Sequence, residues 1–197
     1  APYYNSNSGS VQVASSTDGT SWSGGNSYLT PSGVLINEYF GISMAAYGDY
    51  AVVGAYRDGS SQSGEGAAFV YYRASGSTWS QQARIEASDG VGNLLFGNAI
   101  DIHDDTIVAG TYIDCAYVFT RSGTSWSQQA KLVSSDLVSG DKFGSNVAVH
   151  NDTIVCGAML RDEGSLNNTG AAYVFTRSGT TWSQQAKLVH NSPAASD

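Results

Sequence analysis

Two histidines and two cysteines are the residues whose types could support metal or redox chemistry. His103 and His150 each open a short polar stretch, His-Asp-Asp and His-Asn-Asp. Imidazole and carboxylate groups are zinc ligands, but a zinc site requires these side chains to converge. Cys115 and Cys156 could form a disulfide or remain as two buried thiols. Neither cysteine has a neighbouring histidine or basic residue that would activate it as a nucleophile.

The charge balance excludes two classes of partner. The chain of 197 residues has a formal net charge of -8, and its nine lysines and arginines do not cluster. A nucleic-acid surface needs a basic stripe to neutralise phosphates, and a polybasic membrane anchor needs a run of cations. The longest apolar runs are only a handful of residues, too short to insert into a membrane. We therefore predict neither a nucleic-acid partner nor membrane insertion.

A tryptophan-containing segment repeats along the chain. Residues 172–189 recur at residues 116–133, and the only difference is Ser125 in place of Thr181. Looser copies lie at residues 68–86 and 11–25, so this is a repeat protein. The four copies contain Trp22, Trp79, Trp126 and Trp182.

A second repeated segment begins with Phe-Gly at Phe40, Phe96 and Phe143. It has two short apolar runs around a polar turn, which indicates a β-hairpin, and the tryptophan segment has the pattern of another hairpin. No segment shows a useful helical period, so the sequence predicts an all-β fold. Each repeat is then a four-stranded antiparallel sheet, and such sheets packed radially form a β-propeller.

The Phe-Gly motif and the Val-Val-Gly-Ala motif resemble those of the FG-GAP repeat, the family of the integrin α-subunit propeller. The resemblance is strong over residues 40–189 and weak over residues 11–25. It implies that Phe-Gly begins each innermost strand and that a Gly-Ala pair ends the second strand. The chain departs from this pattern at Thr111, which replaces the alanine. We expect the repeated tryptophans to pack between blades, because each stands in a strand with alanine and leucine on the same side, and we expect the three Phe-Gly phenylalanines to do the same.

The repeats predict about three and a half blades. The predicted divisions are an N-terminal half-blade and linker at residues 1–39, blade 1 at 40–89, blade 2 at 90–136, and blade 3 with a tail at 137–197. The open ends have two explanations: the chain is a segment of a longer array, or it closes or polymerises with another chain. The expected partners are therefore copies of itself or the rest of a longer propeller.

Calcium is the cofactor that the resemblance suggests, because several integrin-type blades carry an Asp-x-Asp-x-Asp-Gly loop. The turns between first and second strands are too short here to supply 6–8 oxygen ligands. The longer loops contain Asp58 and Glu65 in one blade and Asp162 and Glu163 in another, without the ligand spacing. Bound calcium and solvated acidic loops are the alternatives, and no other cofactor is expected.

The histidines and cysteines are interpreted within the same repeat. Equivalent turns of adjacent blades are expected to diverge, which favours His103 and His150 as polar turn residues over a zinc site. Cys115 and Cys156 map to the same rim of adjacent blades, so an inter-blade disulfide and two buried thiols both remain open.

Two sequons, at Asn151 and Asn167, fall in a hairpin tip and a long loop, the exposed places that a glycan requires. Arg121 and Arg177 are expected to be exposed in their turns. Repeated tryptophans and tyrosines could line a carbohydrate site, although their fixed place in a strand favours packing.

No Gly-x-Ser-x-Gly elbow, phosphate loop, His-Glu-x-x-His or Cys-x-x-Cys motif occurs in the sequence. Near-identical repeats also argue against an enzyme, which needs one differentiated set of residues. The sequence therefore predicts a secreted or cell-surface structural, adhesive or scaffolding module that binds extracellular proteins. The alternative is a multivalent lectin that binds glycans.

Overall fold

The computed structural model describes residues 10–15, 23–32, 38–58, 64–74, 78–90 and 92–190. Over these residues the chain forms fourteen β-strands and no helix. The strands make one two-stranded and three four-stranded antiparallel sheets, as in a partial β-propeller. The predicted all-β fold of four-stranded blades is confirmed.

Each four-stranded sheet consists of two consecutive hairpins, and the two-stranded sheet is a single hairpin. The half-blade contains β1 (Val11–Ser15) and β2 (Ser23–Leu29), and blade 1 contains β3 (Met44–Tyr47), β4 (Tyr50–Ala55), β5 (Ala67–Arg73) and β6 (Trp79–Ile85). Blade 2 contains β7 (Ala99–His103), β8 (Thr106–Gly110), β9 (Ala116–Ser122) and β10 (Ser125–Leu132). Blade 3 contains β11 (Phe143–His150), β12 (Thr153–Ala158), β13 (Ala171–Ser178) and β14 (Thr181–Leu188).

The two ends of the sheets differ. One end, the turn rim, carries the tight turns between first and second strands and between third and fourth strands. Gly48, Asp104 and Asn151 occupy the same turn position with φ of 56°, 50° and 51°, a left-handed conformation that Gly, Asn and Asp tolerate best. The opposite end, the loop rim, carries the longer loops and the connections between blades.

Among the described residues, the core consists of three apolar clusters, each between neighbouring sheets. Because side chains alternate across a strand, successive residues of a central strand pack on different neighbours. Val52 faces the cluster between blades 1 and 2, while Val53 faces the half-blade. The central strands are therefore apolar on both faces.

The Phe-Gly phenylalanines lie at the centre of these clusters. Phe40, Phe96 and Phe143 are 4%, 0% and 0% exposed. Phe96 makes an edge-to-face contact with Phe119 at 5.8 Å between ring centroids, and Phe143 makes the same contact with Phe175 at 5.9 Å. The structure thus places all three rings within the sheet-to-sheet packing.

The glycine of the second strand permits close approach of the next blade in blades 1 and 2. A Cβ on Gly54 would overlap the carbonyl oxygen of Gly97, and one on Gly110 would overlap that of Gly144. Each of these carbonyls belongs to the Phe-Gly segment of the following blade. The Phe-Gly motif of one repeat and the glycine of the preceding repeat are thus two sides of one backbone contact.

Candidate functional site

An arginine on the turn rim of every blade connects its two hairpins. Arg73 pairs with Asp49 at 2.7 Å, Arg177 pairs with Asp152 at 2.7 Å, and Arg121 pairs with Asp105. Each guanidinium also lies over the indole of its own blade, at 5.4, 5.9 and 5.1 Å in blades 1 to 3. The side chains of Arg121 and Arg177 are only 23% and 21% exposed, so the prediction that they are exposed is wrong.

Three aromatic rings from three successive blades form a row along the inner turns. The centroids of Tyr47 and His103 are 4.6 Å apart, and those of His103 and His150 are 4.3 Å apart. The backbone N–H of Asn151 donates to Nδ1 of His103 at 3.3 Å. The expectation that equivalent turns diverge is wrong, because these turns belong to the innermost strands, where radially packed sheets approach one another most closely.

Convergence of the histidines does not complete a metal site within the described chain. No group of three or more His, Cys, Asp or Glu residues is placed there to hold a metal ion. Zinc requires three or four protein ligands. The two imidazoles contact rings and a backbone amide, which fits their interpretation as turn residues.

A cavity of about 650 Å³ opens beside this row, between blades 2 and 3 on the turn rim. Carboxylates, guanidinium groups and neutral polar side chains line it together. The lining therefore offers both hydrogen-bond donors and acceptors. The lining residues are His103, Asp104, Asp105, Thr106, Thr120, Arg121, Gln129, Asn151, Asp152 and Arg177.

The tryptophans of blades 2 and 3 each donate a hydrogen bond to a glutamine of the preceding blade. Nε1 of Trp126 donates to Oε1 of Gln82 at 3.1 Å, and Nε1 of Trp182 donates to Oε1 of Gln129 at 2.7 Å. The indoles are half-buried, with their N–H groups engaged and an arginine over one face. These rings therefore act in packing between blades and are not free to stack on a sugar; Trp22 lies outside the described residues.

A second glutamine contacts the preceding inter-blade loop. Oε1 of Gln128 accepts from the backbone N–H of Ser88 at 2.9 Å, and Oε1 of Gln184 accepts from that of Ser135 at 2.8 Å. The strand pairing skips the residue after each of these glutamines, so a β-bulge separates the consecutive pair. Because of the bulge, two adjacent glutamines can form hydrogen bonds in opposite directions, one with the preceding loop and one with the following blade. We call the Trp-Ser-Gln-Gln arrangement the inter-blade clasp.

Sequence reasoning missed the clasp, although the signal was present. The dipeptide Gln-Gln follows Trp-Ser in three of the four copies, and the half-blade has Gly24 and Gly25 instead. Two identical long polar residues side by side cannot both face solvent in a regular strand, because alternate side chains point to opposite faces. That pattern could have indicated a bulge.

A buried tyrosine hydroxyl meets an acidic loop residue in blades 2 and 3. The hydroxyl of Tyr117 donates to Asp89 at 2.7 Å, and that of Tyr173 donates to Asp136 at 2.8 Å. Nζ of Lys131 also donates to Asp89, at 2.6 Å. The hydrogen bonds from Lys131 and Tyr117 outweigh burial and lower the pKa of the Asp89 carboxyl.

The calcium candidates do not come together. Asp58 is 1% exposed and pairs with Arg84 at 2.8 Å. Asp162 accepts from the backbone N–H of Asn168 at 2.7 Å, and Glu163 pairs with Lys187 at 2.6 Å. Glu65 is buried at 7% exposure in the same loop as Asp58. These partners already hold three of the four carboxylates in place, and calcium remains an untested expectation.

The two cysteines are free, buried thiols that lie in different clusters. Cys115 packs between blades 1 and 2, and Cys156 packs between blades 2 and 3. The disulfide alternative is not realised because both side chains face their preceding blade, so the sheet of blade 2 separates them. Burial raises the pKa of Cys156 to about 12, which makes it a poor nucleophile at neutral pH.

The sequon asparagines lie at the surface. Asn151 is exposed in the β11–β12 turn, where it also borders the cavity, and Asn167 is exposed in the β12–β13 loop. Both side chains have the accessibility that a glycan requires. Glycan occupancy stays a prediction.

A family model described as the FG-GAP repeat matches residues 25–71, 79–124 and 126–175. Each match begins in the last strand of one sheet and ends in or just after the third strand of the next, so the sequence repeat spans a blade boundary. No curated protein matches the chain. No helix within the described residues is long and apolar enough to cross a membrane.

Proposed function

This chain belongs to the FG-GAP repeat family, and we propose that it is an extracellular structural, adhesive or scaffolding β-propeller module. In this proposal it self-assembles or forms part of a larger propeller, and its partners are copies of itself or the remaining blades. FG-GAP repeats are typical of integrin α-type propellers and of extracellular proteins, and they are generally non-enzymatic. We propose accordingly that the chain has no catalytic activity and needs no cofactor.

The observation that carries the proposal is that no described residue covers the outer face of blade 3. Leu188 is 53% exposed, whereas the equivalent Ile85 and Leu132 are 4% and 3% exposed. Val155 and Val174 on the same face are half-buried, while their equivalents in blades 1 and 2 are fully buried. An apolar face of this kind marks an interaction surface in soluble proteins.

The inner side of blade 1 supports the same conclusion. Met44 is 56% exposed, whereas the equivalent Ile100 is 8% exposed. A cavity of about 420 Å³ lies there between β1 and the first strands of blade 1. The half-blade covers the outer part of blade 1 and leaves its innermost strand open.

Sedimentation and small-angle scattering of the full chain test this proposal. We expect an open arc, or association that increases with protein concentration. Leu188→Asp is the matched variant, because it places a charge on the open face and should abolish any association. A compact monomer whose scattering fits a closed ring would contradict the proposal.

A second candidate, a multivalent lectin, is favoured by the polar cavity between blades 2 and 3. Its carboxylates and amides could bind sugar hydroxyls, although the tryptophans are engaged elsewhere. A glycan array with the full chain tests it, with Asp104→Asn as the cavity variant and Asp162→Asn as the control on the loop rim. Binding that Asp104→Asn weakens and Asp162→Asn leaves unchanged would favour the lectin; no binding by the native chain would exclude it.

A further inference from the structure

Two tyrosines pack at the turn-rim end of the interface between blades 1 and 2. Tyr50 and Tyr72 are cross-strand partners in β4 and β5, and their ring centroids are 5.1 Å apart. The guanidinium of Arg121 in blade 2 lies 4.6 Å from the centroid of the Tyr50 ring. The indole of Trp126 meets the same ring edge-to-face, at 6.0 Å between centroids. A phenol ring of one blade is thus in contact with a guanidinium and an indole of the next.

The interface between blades 2 and 3 repeats this arrangement without the two rings. The strand register places Thr106 and Thr120 of blade 2 at the positions of the two tyrosines. Arg177 and Trp182 of blade 3 occupy the positions of the arginine and the tryptophan, and the guanidinium again lies over the indole, at 5.1 Å. Nη1 of Arg177 donates to the hydroxyl of Thr106 at 3.2 Å, where the equivalent arginine contacts a ring.

The two small side chains account for the cavity of about 650 Å³ at this interface. Thr106, Thr120 and Arg177 all line it, together with Gln129, which the hydrogen bond from Trp182 holds in place. Its volume falls within the range of about 300–1,000 Å³ that ligand sites occupy. An aromatic ring that enters from the turn rim could take the place that a tyrosine ring has one blade earlier. Contacts with a guanidinium and with an indole edge favour such a ring.

The charged groups in the lining indicate what stands beside the ring. Three carboxylates line the cavity against two guanidinium groups. Asp105 and Asp152 each pair with one of these arginines. Asp104 is 64% exposed, and no lysine or arginine of the described chain pairs with it; its neighbour at 3.5 Å is Nδ1 of His103, which accepts a backbone hydrogen bond. A cation beside the ring would complement this carboxylate, whereas an anion would meet surplus negative charge.

We propose that this cavity binds an aromatic side chain of a partner protein that has a lysine or arginine next to it. The ring lies against Thr106, Thr120 and Arg177, and the cation lies beside Asp104. This goes beyond the proposed function, because it names a partner that the module binds whether or not the chain assembles. It also differs from glycan binding at the same cavity, since the main contact is with an aromatic ring and not with hydroxyl groups.

Short peptides with blocked ends are the probes for the full chain. The test peptide is Gly-Lys-Tyr-Lys-Gly, and two matched peptides replace its tyrosine with leucine or both lysines with glutamine. Isothermal titration calorimetry measures binding. We expect one peptide to bind per chain with a dissociation constant below about 1 mM. The leucine peptide should bind at least about fivefold more weakly, and the glutamine peptide about threefold more weakly at low ionic strength.

Thr106→Tyr combined with Thr120→Tyr copies the tyrosine pair of blade 1 and should fill the cavity. We expect this paired variant to unfold in urea in one transition, as the native chain does, and to bind the test peptide at least about tenfold more weakly. Asp104→Asn changes an exposed side chain and should weaken the test peptide about threefold without affecting the glutamine peptide. Asp162→Asn on the loop rim is the control and should leave both unchanged.

Absence of peptide binding, or equal binding of the tyrosine and leucine peptides, would overturn the inference. So would full binding by the folded paired variant. If that variant does not fold, the result with Asp104→Asn decides: a loss confined to the lysine peptide supports the inference, and no loss overturns it.

If a glycan array shows binding that the paired variant abolishes while no peptide binds, the cavity is a sugar site and the inference fails. Sedimentation and scattering test the proposed assembly independently. Failure of this inference and failure of the proposed function can therefore be told apart.

Discussion

Nε1 of Trp182 lies 2.7 Å from Oε1 of Gln129 in the preceding blade, and this contact repeats one blade earlier between Trp126 and Gln82. The tryptophan that marks the repeat in the sequence thus acts as a donor between blades. Its partner is available because a β-bulge turns the second glutamine of the pair toward the following sheet.

A double-mutant cycle on this pair should measure the clasp. Trp182→Phe and Gln129→Ala each remove the hydrogen bond, and the double variant should show a coupling energy of about 1 kcal/mol in the free energy of unfolding. Urea denaturation of the four proteins gives this value. The control is Trp182→Phe combined with Gln185→Ala. These two residues do not share this bond, so their effects on the free energy of unfolding should be additive. Zero coupling in the first cycle would show that the Trp182–Gln129 contact adds nothing to the stability of the folded chain.

Gly110 and Gly157 form a matched pair for a steric prediction. Gly110→Ala should destabilise the chain by more than about 2 kcal/mol, because its Cβ overlaps the backbone of the next blade. Gly157→Ala should be tolerated within about 1 kcal/mol, since the nearest atom lies at 3.6 Å. Thermal or urea unfolding compares them, and equal losses would refute the close-packing explanation for the glycine.

Two tyrosines should respond in opposite ways to loss of the hydroxyl. The buried hydroxyl of Tyr71 has no hydrogen-bond partner among the described residues, and phenylalanine stands at its equivalents, Phe119 and Phe175. Tyr71→Phe should therefore leave the free energy of unfolding unchanged or raise it by up to about 1 kcal/mol.

Tyr117→Phe should instead lower the free energy of unfolding by about 1 kcal/mol, because it removes the bond to Asp89. Phe69 naturally stands at this position in blade 1, where the loop has Gly33 in place of the aspartate; Gly33 lies outside the described residues. Urea denaturation distinguishes the two variants, and a loss in both would mean that Tyr71 has a bonding partner.

Acid should weaken the contact at Asp89. The folded state lowers the pKa of this carboxyl, so its contribution to stability is present above the unfolded value of about 3.9 and is lost as pH falls through the folded pKa. Asp89→Asn should reduce stability at neutral pH and flatten the acid limb of the stability profile. Urea unfolding between neutral pH and about pH 3 tests this, with Asp104→Asn as the charge-matched control; an unchanged acid limb would contradict it.

Both thiols should be unreactive in the folded chain. Cys115 and Cys156 are 4% and 0% exposed and free. Alkylation of the native protein should be at least about a hundredfold slower than in denaturant, where both thiols should react without a reductant. Mass analysis under non-reducing conditions measures the extent of alkylation. A mass lower by two hydrogen atoms, with no alkylation in denaturant, would show a disulfide.

The repeats allowed much of the local structure to be predicted. Alternating apolar residues around Gly, Asp and Asn turns indicated the hairpins, and the family motifs indicated how four strands form a sheet. The phenylalanines at the sheet interfaces, including Phe96 and Phe143, could be identified because the Phe-Gly motif repeats from blade to blade. The predictions that proved wrong, such as the divergence of the His103 and His150 turns, depended on how neighbouring blades pack on each other.

The sequence by itself determined the strands, because these follow from local backbone preferences and the side-chain period of two. Its repeated motifs indicated the order of the strands in each sheet and the family. Only the tertiary structure decided which blade each face meets. It brought His103 against His150 although the sequence suggested divergence, and it kept Cys115 from Cys156 by placing a sheet between them. The physical reason is that radial packing sets the distance and facing of equivalent residues in adjacent sheets, and no residue type along the chain encodes that rotation locally.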